Sequence, residues 1–143
     1  MHPRRSHWLA LAVLALPTLA QQPLRWVAPA EAVSRANPVP FSDDALKRGR
    51  VLFGRHCALC HGEGGTGDGP AARMHAQRSG HAPRNLTDPK VQLGMTDGEI
   101  FWKLSTGLKD NGHIVMPGFA EEIAKEDDRW RLVHFVRMFG KQM

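Results

Sequence analysis

Apolar residues recur at helical spacing in three stretches of the chain. The first covers residues 43–57 and follows Ser42, a good N-cap, with acidic residues in its first turn. The second covers residues 97–105 and begins at a Thr-Asp-Gly-Glu capping box. The third covers residues 126–140, from an acidic first turn to a terminal glycine. The pattern predicts an all-α domain of three to four helices joined by long loops.

Two other stretches carry no periodic pattern. Residues 21–41 contain four prolines and are predicted to form an extended lead-in. Residues 62–94 open with five glycines between Gly62 and Gly69 and are predicted to be a long connection with little regular structure. Those glycines lack the Gly-Lys-Ser/Thr ending and the preceding strand of a phosphate-binding loop.

The first 20 residues have the three-part pattern of a secretory signal peptide. Arg4 and Arg5 precede a nine-residue apolar run from Trp8 to Leu16, which Pro17 ends. Nine residues are far fewer than the ~20 that a membrane-spanning helix requires. We therefore expect a signal peptide at 1–20, the lead-in at 21–41 and one domain at 42–143. The mature chain is expected to be exported, for example to the periplasm, with no membrane span.

The charge balance does not favour a nucleic-acid partner. Without residues 1–20, 17 of the 19 Lys and Arg residues remain against 14 acidic ones, which leaves +3. The chain has no run of five or more basic residues and no aromatic residues interleaved with basic ones.

The two cysteines lie in the motif Cys57-Ala58-Leu59-Cys60-His61. Cys-x-x-Cys-His is the attachment signature of c-type haem. Two thiols one helical turn apart can add to the two vinyl groups of one porphyrin, and the next histidine then reaches the iron. The motif predicts one covalently bound haem c, with His61 as an axial ligand of its iron.

Other uses of a Cys-x-x-Cys pair fit the sequence less well. A thioredoxin-like redox pair requires a strand before the motif and a helix after it, whereas here a helix precedes it and glycines follow. A structural zinc site requires four ligands. A disulfide across two residues would close a tight ring.

The second axial ligand is expected in the stretch Gly112-His113-Ile114-Val115-Met116-Pro117-Gly118-Phe119. Pro117 favours extended backbone at Met116, and an extended loop can cross a haem face. A thioether ligand raises the potential of haem iron. His113 and Met95 remain open as alternatives, and His75 and His81 are expected to face solvent.

In their order, these segments resemble the class I cytochromes c of bacterial electron-transfer chains. The resemblance covers roughly residues 41–139 and implies a small cytochrome c fold wrapped around one covalent haem. It implies that the carbonyl of Pro83 accepts the free N–H of His61. It also implies a close crossing of the first and last helices, with Gly49 and Phe53 facing Leu132 and Phe135.

The function implied is single-electron transfer between Fe(III) and Fe(II), without a catalytic reaction of the chain's own, to redox partner proteins that the sequence does not name. The alternative is a haem-bearing subunit of a periplasmic oxidoreductase complex. A gas sensor or peroxidase would require an open iron site, which the Met-Pro-Gly-Phe segment disfavours.

Overall fold

Two helices near opposite ends of the chain form the centre of the fold. Helix α2, Asp43–His56, packs along helix α7, Glu126–Met138. These positions come from a computed structural model, which describes residues 26–141. The expected signal peptide at 1–20 lies outside the described residues.

The predicted caps are present where the sequence placed them. The Ser42 hydroxyl accepts from the Ala45 N–H, so α2 begins at Asp43. Thr96 accepts from the Glu99 N–H in the same way, and helix α6 spans Asp97–Thr106. The mainly helical fold predicted from the pattern is confirmed.

Besides α2 and α6, four shorter helices precede the hairpin in the described part of the chain. They are α1, Ala30–Val33; α3, Ala58–His61; α4, Ala72–Ser79; and α5, Pro89–Leu93. After α7 a 3-10 turn covers Phe139–Lys141. The expectation of little regular structure in 62–94 is therefore wrong for α4 and α5. Helix α4 begins without a capping side chain, so no local signal marks its start.

A β-hairpin lies between α6 and α7. Strand β1, Leu108–Asp110, pairs antiparallel with β2, His113–Met116. Asn111 and Gly112 both have positive φ, at 47° and 81°, as a two-residue type I′ turn requires. The segment expected to be an extended loop is thus a strand that ends at Met116.

The crossing of α2 and α7 depends on the absence of a side chain at Gly49. A Cβ there would collide with the Arg131 carbonyl oxygen and lie 2.8 Å from the Phe135 Cβ. Next to this contact the rings of Phe53 and Phe135 lie 5.4 Å apart, and Leu132 is fully buried. The close crossing implied by the resemblance is present, because the backbones approach where glycine leaves room.

The described part of the lead-in, from Trp26 onward, is not extended throughout, since it contains α1. We refer to residues 26–39 as the N-terminal strap. Ala28 and Ala32 are buried, and Asn37 donates to the carbonyl oxygen of Trp130 on α7 at 3.1 Å. Within residues 26–141 no helix is both long and apolar enough to cross a bilayer.

Candidate haem site

A cavity of about 1100 Å³ separates the helical core from the hairpin. Well-packed interiors contain few voids larger than a water molecule, whereas ligand cavities measure about 300–1,000 Å³. Its wall includes all four expected ligands and attachment residues: Cys57, Cys60, His61 and Met116. Side chains from helices, hairpin and strap therefore converge on one space that the protein itself does not fill.

Cys57 lies where α2 gives way to α3, and Cys60 lies one turn further along α3. Neither cysteine forms a disulfide. Burial raises the pKa of the Cys57 thiol to about 12, and the nearby Cys60 adds to this. Redox-active thiols of the thioredoxin type have a lowered pKa instead, so the environment of Cys57 disfavours that alternative.

A zinc site also lacks support. Over residues 26–141, no group of three or more His, Cys, Asp or Glu side chains is arranged to hold a metal ion. Structural zinc normally has four such ligands.

His61 ends α3, and its ring is held by the backbone. Its Nδ1 lies 3.0 Å from the carbonyl oxygen of Arg84. Because a carbonyl only accepts, Nδ1 carries the proton, which leaves the lone pair on Nε2. Burial also lowers the pKa of His61, so the imidazole is neutral near pH 7. A neutral, oriented imidazole is the form that binds iron.

The role implied for Pro83 belongs to its neighbour Arg84. The Leu86 N–H donates to the Gly65 carbonyl at 2.7 Å, which fixes the register of the segment that carries both residues. In this register the Pro83 carbonyl faces Gly67, where a Cβ would lie 2.6 Å from its oxygen. The Arg84 carbonyl is left to accept from His61.

The three candidates for the second iron ligand, Met116, Met95 and His113, all line the cavity. Their surroundings differ. Met116 ends β2 and is half-buried against the core. The sulfur of Met95 lies 3.4 Å from Lys103 Nζ, which donates to it. His113 is exposed near the tip of the hairpin. Met116 combines access to the cavity with a fixed strand position.

His75 and His81 were expected to face solvent, and this expectation is wrong. Both connect the α4 region to the hairpin. His75 Nε2 lies 2.7 Å from the Val115 carbonyl oxygen, and His81 Nε2 lies 3.0 Å from Asp110 Oδ2. Both histidines also line the cavity. No spacing in the sequence links them to the hairpin, because the connection is made only in the folded chain.

These residues fit a c-type haem. The cavity is large and its wall includes apolar side chains from α2, α6 and α7, namely Phe53, Ile100, Leu104 and Val136. The two free thiols and the oriented imidazole lie on the same wall. This combination of an apolar space, paired thiols and a neutral imidazole matches the chemistry of covalent haem attachment.

Residues 44–136 match the family model described as cytochrome c oxidase, cbb3-type, subunit III. No protein in the curated set matches the chain.

Among solved structures, the chain is similar to the Kuenenia stuttgartiensis reducing HAO-like protein complex Kustc0457/Kustc0458. The identity is 28% and the TM-score 0.56, over 73% of this chain and 49% of that chain. The KustC0563 c-type cytochrome matches at 24% identity and a TM-score of 0.47, over 64% of this chain and 95% of that one. The chain thus spans about half the length of the first of these structures.

Proposed function

We propose that the chain is a single-electron carrier of the exported compartment, with His61 and Met116 as its iron ligands. The proposal starts from the match to the cbb3-type subunit III family model, by which the chain belongs to a family of c-type cytochrome domains. Family membership makes it a monohaem cytochrome c with covalently bound haem and an electron-transfer function. The ligand pair, the exported location and the absence of a catalytic reaction are the proposal.

One observation carries the proposal: Cys57, Cys60, His61 and Met116 all line the same cavity. In the proposal the two cysteines fix the haem through thioether bonds. His61 and Met116 are the iron ligands, and the haem iron supplies a reversible Fe(III)/Fe(II) couple when bound.

The protein's own contribution is to orient its ligands and exclude water. The Arg84 carbonyl holds the His61 ring in the tautomer that leaves Nε2 free. The hairpin carries Met116, and the hydrogen bond from His75 to Val115 secures the hairpin one residue earlier. Buried Leu104 and Phe119 keep part of the cavity wall dry. Fixed ligands and an apolar surrounding reduce the reorganisation that accompanies a change of charge.

Replacement of Met116 by Ala tests the ligand assignment. We expect Met116→Ala to lose the weak near-infrared sulfur-to-iron band and to have a lower reduction potential, because a thioether favours ferrous iron. The matched control is Met95→Ala, whose sulfur already accepts from Lys103. Haem that stays bound after denaturation shows that both variants carry the cofactor.

Loss of the band in Met95→Ala but not in Met116→Ala would contradict the assignment. Absence of the band from the wild-type protein would also contradict the assignment, because an imidazole ligand such as His113 has no sulfur.

A second candidate function is that of a haem-bearing subunit of an oxidoreductase complex. It is favoured by the family description, which names an oxidase subunit, and by the similarity to part of a protein complex. The native mass of the protein after gentle isolation separates the two. A free carrier elutes at the mass of one chain with haem, whereas a subunit elutes with its partners.

Export is supported by the signal-like pattern of residues 1–20. The mass of the isolated chain tests it, because cleavage near residue 20 would remove that segment.

A further inference from the structure

The N-terminal strap precedes the segment that matches the family model, yet it is fastened to both α6 and α7. Thr96 at the start of α6 donates to the Val33 carbonyl at 2.7 Å. His134 Nε2 on α7 lies 2.7 Å from the Val39 carbonyl. At Gly98 the strap passes so close that a Cβ would lie 2.6 Å from the Arg35 carbonyl oxygen. The strap is therefore a fixed part of the fold.

The strap begins at Trp26, which lines the haem cavity. The indole Nε1 is buried, and within residues 26–141 it has no hydrogen-bond partner. A buried tryptophan N–H nearly always has an acceptor, because burial removes the water that would otherwise serve as one. A donor without a partner on the wall of a ligand cavity indicates that the ligand supplies the acceptor.

The charge of the cavity wall indicates what that acceptor is. Four cationic side chains line the described wall, Arg78, Arg84, Lys90 and Lys103, against a single carboxylate, Glu99. Lys103 lies beside the strap, with its Nζ 5.2 Å from the centre of the Trp26 ring and 2.6 Å from Glu99 Oε1. This excess of positive charge favours an anionic acceptor, and the anionic groups of haem are its two propionate carboxylates.

We propose that Trp26 is a haem-binding residue whose indole N–H donates to a haem propionate, with the charge of Lys103 beside it. The inference rests on the haem itself, which family membership establishes, and not on the assignment of Met116. It gives the strap a role in cofactor binding, although the strap lies outside residues 44–136, which the family model matches.

Trp26→Phe in the haem-loaded protein tests the proposal, because phenylalanine keeps an aromatic ring and removes only the donor. The matched control is Trp102→Phe, since Trp102 is half-buried on α6 and is not among the residues that line the cavity. We expect the propionate carboxylate vibrations to shift in Trp26→Phe and to stay unchanged in Trp102→Phe. The reduction potential should fall only in Trp26→Phe, because a propionate without its donor stabilises ferric iron more strongly.

A second measurement uses the unaltered protein. Its ¹⁵N-labelled holo form should show a Trp26 indole N–H that exchanges slowly with solvent, as a hydrogen-bonded donor does. Fast exchange, or unchanged propionate vibrations in Trp26→Phe, would overturn the proposal. A loss of stability without a vibrational shift would also overturn it, because it would show a packing role alone.

Failure of the Met116 assignment would appear separately. It would be visible in the near-infrared spectra of the wild-type, Met116→Ala and Met95→Ala proteins, all of which keep Trp26.

Discussion

At the scale of single residues, two histidine side chains from the α4 region hold the hairpin that carries Met116. His75 extends from α4 to the Val115 carbonyl, and His81 extends to the carboxylate of Asp110. One bond lies beside the end of β2 and the other at the end of β1. The hairpin has only seven strand residues, too few to be stable without such support. These bonds set the position of Met116, the proposed second iron ligand, relative to α4.

His75→Ala is expected to loosen the hairpin without unfolding the protein. The Val115 carbonyl would lose its partner at a half-buried position, which costs ~0.5–1.5 kcal/mol. Amide hydrogen exchange over residues 108–116 should accelerate, and the sulfur-to-iron band should weaken. Arg73→Ala is the control, because Arg73 is exposed on the same helix. Equal acceleration in both variants would show that the effect comes from α4 and not from the bond to Val115.

At the scale of elements, the contact of α2 with α7 brings together two helices that are distant in the sequence. Gly49 provides the close approach, and the rings of Phe53, Phe135 and Phe139 pack beside it, with centroids 5.0–5.4 Å apart. The cavity lies against the same helices, since Phe53 and Val136 also form part of its wall. The crossing therefore sets the shape of the site as well as the stability of the fold.

Two glycines of α2 permit a matched test of this crossing. Gly49→Ala should destabilise the protein by ~1–3 kcal/mol, because the new Cβ collides with the Arg131 carbonyl and overpacks the contact. Gly54 is exposed, and a Cβ there would meet nothing within 4 Å. Gly54→Ala should therefore gain up to ~1 kcal/mol from helix propensity.

Thermal unfolding at equal haem content measures both effects. Gly49→Ala as stable as wild type would show that the helices do not approach closely at this point.

The elements that the sequence predicted are those with strong local signals. The caps at Ser42 and Thr96 placed the starts of α2 and α6 at the correct residues. The hairpin carried a signal of its own in Asn111-Gly112, a dipeptide that favours a type I′ turn, which the interpretation as an extended loop overlooked. Helix α5 likewise follows Asp88 and has proline in its first turn. Helix α4 has no capping side chain at its start.

For the site, the motif residues were visible in the sequence and their supports were not. Cys57, Cys60, His61 and Met116, which local motifs single out, all lie on the cavity wall. The Arg84 carbonyl accepts from the His61 ring 23 residues earlier, and His75 contacts the Val115 carbonyl 40 residues later. Such partners are set by tertiary packing, which no local spacing encodes.

At the scale of the whole molecule, an ion pair joins α2 and α7. Arg48 on α2 donates to Asp128 Oδ2 on α7 at 2.6 Å, and Arg131 donates to the other oxygen at 3.0 Å. The hydrogen bond from Arg48 is the largest cause of a lowered pKa of Asp128. A pKa below that of the unfolded chain means that the carboxylate stabilises the fold above the ordinary aspartate pKa. This stabilisation is lost as the pH falls through the lowered value.

Asp128→Asn should therefore reduce stability at pH 7 and matter less in acid. We expect a loss of about 1 kcal/mol at neutral pH, modest because the Arg48 side chain is 47% exposed and solvent screens the pair. The difference from wild type should shrink once the pH falls below the ordinary aspartate pKa of 3.8. Denaturant unfolding at pH 7 and pH 3 measures it.

Asp127→Asn is the control, because Asp127 lies in the same first turn of α7 and its side chain is 66% exposed. A pH-independent loss in Asp128→Asn would show that the carboxylate acts through packing and not through charge.

The docking of the strap also determines the order in which segments of the chain can pack. A ribosome makes the strap first, but Val33 and Val39 bond to side chains that lie 63 and 95 residues later. Until those residues have been made, the strap has nothing to close against, and loop closure over such distances is slow. In the proposed exported chain, Cys57 and Cys60 stay accessible until these later residues have docked, so both thiols are presented before the wall around them exists. The fold thus leaves a time window in which the cofactor can be joined to an open chain, and the last helix to be made closes it.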